Sequence, residues 1–213
     1  MSHTELATAL SVGASLGHVA AADGVALLAI GEMGIGNTTA ASAITAALTG
    51  SPAAEVSGRG TGLSDEAYQR KKAVIGAIVR FHFRLEATPA PDASEVLRCV
   101  GGLEIAAMAG MMLAAAGHRI AIVIDGFIST AAAAITCALA PSARDYMFAG
   151  HRSQEPGHRI LLERLALRPI LDLDMRLGEG TGAVLAMPII EAAVRIYAEM
   201  ATFSSAGVSG AKP

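Results

Sequence analysis

The chain predicts an α/β fold of three layers, a mostly parallel sheet with helices on both faces, and three observations predict it. Continuous apolar runs at 25–30, 120–124 and 170–173 have the length of strands buried on both sides. Each run gives way to a turn containing glycine and then to a longer, Ala-rich segment of helical character. The intervals between runs are long enough for the crossovers that parallel strands require. The arrangement is Rossmann-like, and residues 1–213 read as a single α/β domain. The C-terminal helix, about 183–202, is a candidate for a small helical subdomain.

Composition narrows the function. Of 213 residues 53% are hydrophobic, yet only 4% are aromatic and none is Trp, so the core is built from small side chains that let helices lie close on a sheet. A net charge of −3 and a pI near 6.1 argue against a general nucleic-acid binder. The longest apolar runs, 105–117 and 127–140, fall short of the roughly 20 residues a bilayer requires. Glu191, Arg195 and Glu199 interrupt the last helix, so no membrane association is expected. Cys99 and Cys137 have no metal-ligand spacing and read as reduced, buried thiols. Residues 1–10 lack the basic and apolar regions of a secretory signal. A cytoplasmic protein is the expectation.

In order along the chain, residues 5–22 are amphipathic, with Leu6, Leu10, Leu16 and Val19 among the apolar positions, and Gly24 ends that helix. The strand at 25–30 opens into GEMGIGNTTA (31–40) and a helix to 48. Strand, Gly-rich turn and helix is the arrangement that sets anions against free backbone N–H groups. The turn nearly matches a Walker A loop, with Gly31, four residues, Gly36, then Asn37 and Thr38. Asn37 stands where the phosphate-binding lysine belongs, which disfavours a P-loop NTPase. Glycines at 31, 34 and 36 do not make the dinucleotide fingerprint either. A phosphate or sugar cradle competes with an ordinary tight turn, and Asn37 or a following Thr is the expected N-cap.

A second cluster, GRGTGL (58–63), precedes Ser64, Asp65 and Glu66, which open a helix to 82. Its Lys71 and Lys72 either replace the missing lysine in space or are a solvated pair. Residues 88–92 form a loop, 94–99 a short helix, and 103–115 an apolar helix stopped at Gly117. The clearest strand, 120–124, ends at Asp125, where open parallel sheets collect ligands. An acid there is either a ligand contact or an N-cap. A helix runs to 139 and a strand over 145–149. His151, Glu155 and His158 lie within eight positions, but not at the i, i+4 spacing of a helical zinc site, and Pro156 and Gly157 interrupt them; no metal is expected. A helix to 167 and the strand at 170–173 lead to GEGTG (178–182). There Glu179 sits among glycines at a strand-to-helix corner, a candidate general base or a helix-capping acid, before a helix over 183–201.

Taken together, GEMGIGNTTAAS (31–42), GRGTGL with Lys71, GGLEIAAMAG (101–110), IDGFISTAAA (124–133), AGHRSQEPGH (149–158), LGEGTGA (177–183) and FSSAGVSG (203–210) closely resemble the nicotinate-nucleotide–dimethylbenzimidazole phosphoribosyltransferases of cobalamin synthesis. The resemblance covers nearly all of the chain. It implies transfer of phosphoribose from nicotinate mononucleotide to 5,6-dimethylbenzimidazole, without metal or redox cofactor. It implies Glu179 as general base and Glu32 as the carboxylate that stabilises charge on the ribose. Gly34, Gly58, Gly60, Gly62 and Lys71 become the phosphate set, Leu177 and Gly178 line the aromatic ligand, and Asp125 joins the substrate-binding residues. The family forms homodimers. Its members are longer at the N-terminus, so the chain resembles the C-terminal portion, with the N-terminal part of the fold missing. A separate N-terminal half is then a possible partner, and a remnant that binds nucleotide without turnover is the alternative to an enzyme.

Overall fold

The computed structural model describes residues 1–60, 62–83 and 91–208. Thr61 of the second Gly cluster, 84–90 with most of the loop read at 88–92, and 209–213 with the end of the tail motif lie outside the described residues. Four parallel strands, β1 (Leu27–Ile30), β2 (Ala121–Ile124), β3 (Met147–His151) and β4 (Pro169–Leu171), lie side by side in chain order. Between β1 and β2 run α2 (Asn37–Thr49), α3 (Ala53–Val56), α4 (Asp65–His82), α5 (Ala93–Val100) and α6 (Leu103–Gly117). Then α7 (Phe127–Leu139) and α8 (Pro156–Leu165) connect the remaining strands, while α1 (His3–Ala22) precedes the sheet and α9 (Thr181–Glu199) follows it.

Successive residues along a strand point their side chains to opposite faces of the sheet, and the two faces meet different partners. Ile30, Ile122 and Ile124 enter a large core with Ile44, Ile105, Met112, Phe127 and Ile135 from the connecting helices. Right-handed crossovers between strands laid down in sequence keep their helices on one side. Val123 faces the other way, against Ala183 and Ala186 of α9. The sheet therefore has helices on both faces, but the second face is covered by one helix. The first half of α9 spans the strands, whereas Val194, Tyr197 and Met200 are exposed toward its end. Among the described residues α9 alone has the length and apolarity to cross a membrane; its Glu191–Arg195 ion pair lies on that segment. The helix α1 fits onto α6 through glycine: a Cβ at Gly13 would stand 1.7 Å from the Ala107 carbonyl oxygen.

Several sequence expectations need correction. The strand read at 145–149 begins later, because Pro141 starts a 3₁₀ turn over Pro141–Tyr146 that ends where β3 begins. The strand read at 170–173 is shifted to Pro169–Leu171, and Asp172 leaves it to pair with Arg152. The N-cap of α2 is Gly36, left-handed at φ 86°, and not Asn37, whose side chain is used elsewhere. The short helix α3 has no sequence expectation behind it. Ser64 caps α4 as its sequence indicates, accepting the Ala67 N–H.

Candidate active site

Register gathers the chemistry at one edge. Ile30 pairs with Ile124 and Ile124 with Ala149, so Gly31, Asp125 and His151 emerge together at the carboxyl ends of β1, β2 and β3. Beside this edge lies a cavity of about 360 Å³. Glu32, Gly34, Gly60, Lys71, Asp125, Leu177 and Gly178 line it.

At the end of β1, Asn37 turns back and donates its side-chain amide to Glu32 Oε2. A Cβ on Gly34 would stand 2.6 Å from that amide nitrogen, so glycine is what permits the turn-back. The residue in the Walker lysine position thus serves a carboxylate. Burial holds the Glu32 carboxyl above its ordinary pKa, the Asn37 bond pulls it down, and the charges of Glu104, Asp125 and Glu179 push it up.

Lys71 supplies the cation, from α4. Its Nζ donates to Thr38 Oγ1 at 2.9 Å and to the Gly58 carbonyl at 2.9 Å, leaving a third proton. Burial lowers its pKa and the charge of Glu155 opposes that. Glu155 is a site residue that sequence reasoning noted only as a metal candidate. Its Oε1 accepts the Gly60 N–H at 3.1 Å, and its buried Oε2 has no partner among the described residues. Two helix N-termini face the same space: Gly36, Asn37 and Thr38 of α2, and Gly126, Phe127 and Ile128 of α7. The Gly126 N–H is taken by Ser129 Oγ at 3.1 Å; the N–H groups that follow it, those at the start of α2 and the ammonium make an anion site. Gly58 lies beneath it, buried, while Gly62, left-handed at φ 110°, is exposed and outside the cavity lining.

The third helix start, that of α9, is built differently. Gly178, Glu179 and Gly180 are all left-handed, at φ 79°, 60° and 77°. The Glu179 N–H donates to the Glu32 carbonyl at 3.0 Å, which ties the two acidic turns together. The Glu179 side chain is exposed and is not among the residues that line the cavity, although Leu177, 66% exposed, and Gly178 just before it are. Asp125, 2% exposed, accepts the Gly180 N–H at 3.0 Å on Oδ2 and those of Gly182 at 2.7 Å and Ala183 at 3.2 Å on Oδ1. His151 packs behind, its Nδ1 3.5 Å from Asp125 Oδ1. Burial lowers the His151 pKa against the pull of Asp125. His158 is pushed down to about 3, first by burial and then by His151. It accepts the Ser153 N–H on Nδ1 at 2.9 Å and so donates from Nε2 to Thr130 Oγ1 at 3.0 Å. His158 is held by two hydrogen bonds, whereas the buried Nδ1 of His151 has no hydrogen-bond partner among the described residues; those residues contain no cluster of three or more metal-ligating side chains.

Residues 1–208 match the sequence profile of a family described as phosphoribosyltransferase. A protein of Chloroflexus aggregans called nicotinate-nucleotide–dimethylbenzimidazole phosphoribosyltransferase is 57% identical over 205 residues, which is 96% of this chain and 57% of its own. One of the same name from Desulforamulus reducens is 54% identical over 209 residues, 98% of this chain and 58% of its own. The crystal structure of CobT from Thermus thermophilus superposes with a TM-score of 0.91 at 49% identity, over 99% of this chain and 62% of that one. The chain thus spans 57% and 58% of the length of these two curated relatives.

Proposed function

The chain belongs to this phosphoribosyltransferase family, and we propose that it moves phosphoribose from nicotinate mononucleotide to 5,6-dimethylbenzimidazole, releasing nicotinate and α-ribazole 5′-phosphate. One observation supports this above others. A built anion site, formed by Lys71 and the starts of α2 and α7, shares a cavity with Glu32, whose backbone carbonyl holds the Glu179 turn.

The phosphate lies against the two helix starts and the free Lys71 proton, with Gly34, Gly58 and Gly60 allowing close approach. The ribose then reaches Glu32, whose carboxylate stabilises positive charge that develops at C1′. Nicotinate departs from a pyridinium, so the C1′–N bond breaks with its electron pair passing to a neutral ring nitrogen and no acid is needed. One benzimidazole nitrogen attacks C1′ from the opposite face, which inverts the anomeric carbon. Glu179 takes the proton from the other nitrogen, and Leu177 and Gly178 border the aromatic ring. No cofactor enters the step. The reaction is placed in the cytoplasm.

The exposed apolar end of α9 favours a second reading for the isolated chain. It binds nicotinate mononucleotide but turns over only when more protein, a second copy or a separate N-terminal half, covers that helix. One experiment addresses both. The purified chain is incubated with nicotinate mononucleotide and 5,6-dimethylbenzimidazole, and α-ribazole phosphate is followed by mass spectrometry beside Glu179→Gln. Product that falls roughly 10²- to 10⁴-fold in the variant supports the base. Equal turnover removes Glu179 from the chemistry; nucleotide binding without product selects the second reading; no binding sinks both.

A further inference from the structure

We propose that Asp125 is a positioning residue that locks the Glu179 turn, and that it does not contact substrate. The inference rests on Glu179 being the base, and deepens that reading. Asp125 directly follows β2 and takes three of the N–H groups at the start of α9: Gly180 at 3.0 Å, Gly182 at 2.7 Å and Ala183 at 3.2 Å. An N-cap is ordinarily supplied by the residue before the helix. Here that residue is Gly180, which has no side chain to offer, and the cap comes from a residue 55 positions earlier in the chain.

The need for such a clamp follows from the turn it holds. Glu179 has φ 60° between two left-handed glycines. For a residue with a Cβ this conformation costs roughly 1–2 kcal/mol and persists only where the surroundings over-determine it. Those surroundings are specific. Glu32 O accepts the Glu179 N–H from one side, and Asp125 fixes the very next peptide, that of Gly180, from the other. His151 closes the back: a Cβ on Gly182 would stand 1.9 Å from its Nδ1, so helix, imidazole and carboxylate are in mutual contact.

Asp125 borders the cavity, but the same geometry leaves its oxygens little to offer a ligand. Both oxygens are engaged by backbone donors and the residue is 2% exposed. It also places a carboxylate on the partial positive charge of α9, so substrate phosphate is left to the α2 and α7 starts. Asp125 therefore acts on the reaction by orienting Glu179, and reaches Glu32 only through its charge.

Asp125→Asn is the test, because it keeps the shape, turns one acceptor into a donor facing N–H groups, and removes the charge. Amide exchange at Gly180, Gly182 and Ala183 is expected to quicken at least tenfold, while the dissociation constant for nicotinate mononucleotide stays within twofold. Where turnover is present, kcat falls at least tenfold with KM for the nucleotide held, and Asp125→Asn adds less than twofold to the loss already caused by Glu179→Gln. A tenfold weaker affinity for the nucleotide, or losses that multiply in the double variant, overturns the proposal. A Glu179→Gln variant with full turnover fails the base reading instead, and leaves the exchange and affinity results to decide the clamp. Should Asp125→Asn not fold, exchange in the unaltered protein decides. Protection at those three amides that nicotinate mononucleotide leaves unchanged supports the clamp; protection lost on saturation means Asp125 lets go to meet substrate and overturns it.

Discussion

The two glycine-rich turns at the carboxyl edge of the sheet are each held by a carboxylate from elsewhere in the chain, and they are held to different degrees. Asp125 takes three backbone hydrogen bonds, one from Gly180 of the 178–180 turn and two from Gly182 and Ala183 in the first turn of α9, and has no oxygen left over. Glu155 gives the turn at Gly58 and Gly60 a single bond and keeps an unpartnered oxygen. Buried polar atoms are nearly always satisfied, and among the described residues the two exceptions differ in place: Glu155 Oε2 belongs to the carboxylate that holds the second turn, whereas His151 Nδ1 lies behind the carboxylate that holds the first. In the reading proposed above, the contrast matches the work of each turn: a base must be oriented before substrate arrives, whereas the anion cradle keeps the third Lys71 proton for its ligand. Preorganisation on one side and open capacity on the other divide the same cavity.

The largest test of this contrast is steric. A Cβ at Gly31 would stand 2.2 Å from the backbone nitrogen of Gly180, which Asp125 pins. Backbone cannot swing aside, so Gly31→Ala should cost about 3 kcal/mol or more and lower Tm by roughly 6–12 °C. A Cβ at Gly58 would come even closer, 1.9 Å, but to Glu155 Oε2. That is the end of a flexible side chain with one bond to break, so Gly58→Ala should cost only about 1 kcal/mol. Equal Tm losses in the two variants, measured by calorimetry, would show that both turns are held alike.

Acid separates the turns next. His158 is neutral in the fold with a pKa near 3 against an ordinary 6.5, so the unfolded chain takes up its proton first. The stability this histidine contributes is complete above pH 6.5 and falls by about 1.4 kcal/mol per unit as pH drops from there toward 3. Its Nδ1 accepts the Ser153 N–H, two residues from Glu155, so the proton loosens the cradle side. Amides at 153–155 are expected to lose exchange protection at higher pH than those at 180–183, and His158→Gln should flatten the acid slope of chemical denaturation. Simultaneous loss at both places would erase the distinction.

How much of this was legible in the sequence follows from range. The apolar runs at 25–30 and 120–124 announced β1 and β2 because strands buried on both faces need no pattern beyond length. Ser64 announced α4 because its cap acts across three residues. The family resemblance put Glu32, Lys71 and Glu179 on the page as site residues. What it did not yield is the pairing of Asp125 with Gly180 or of Glu155 with Gly60, contacts 55 and 95 positions apart that exist only once β2 and α8 are placed. Asn37 misled for a related reason: its local preference as a cap lost to a buried carboxylate five residues back. The uncovered end of α9 was invisible too, since its apolar residues resemble those of a core helix.

The smallest expected effect probes the open capacity itself. The Lys71 ammonium is weakened by burial and supported by the charge of Glu155. Phosphate requires the protonated form, so affinity for nicotinate mononucleotide declines as pH rises through the Lys71 pKa. Glu155→Gln removes the supporting charge, lowers that pKa further, and moves the decline to lower pH, with roughly two- to fivefold weaker binding across the interval between the two declines. At pH values where Lys71 is protonated in both proteins, the variant should bind as well or slightly better, because a carboxylate has left the neighbourhood of the anion. Isothermal titration across pH separates these regimes. A uniform loss at every pH would mean that Glu155 matters for holding the Gly60 peptide and not for the charge on Lys71, which would make the cradle a pinned turn like that of Glu179.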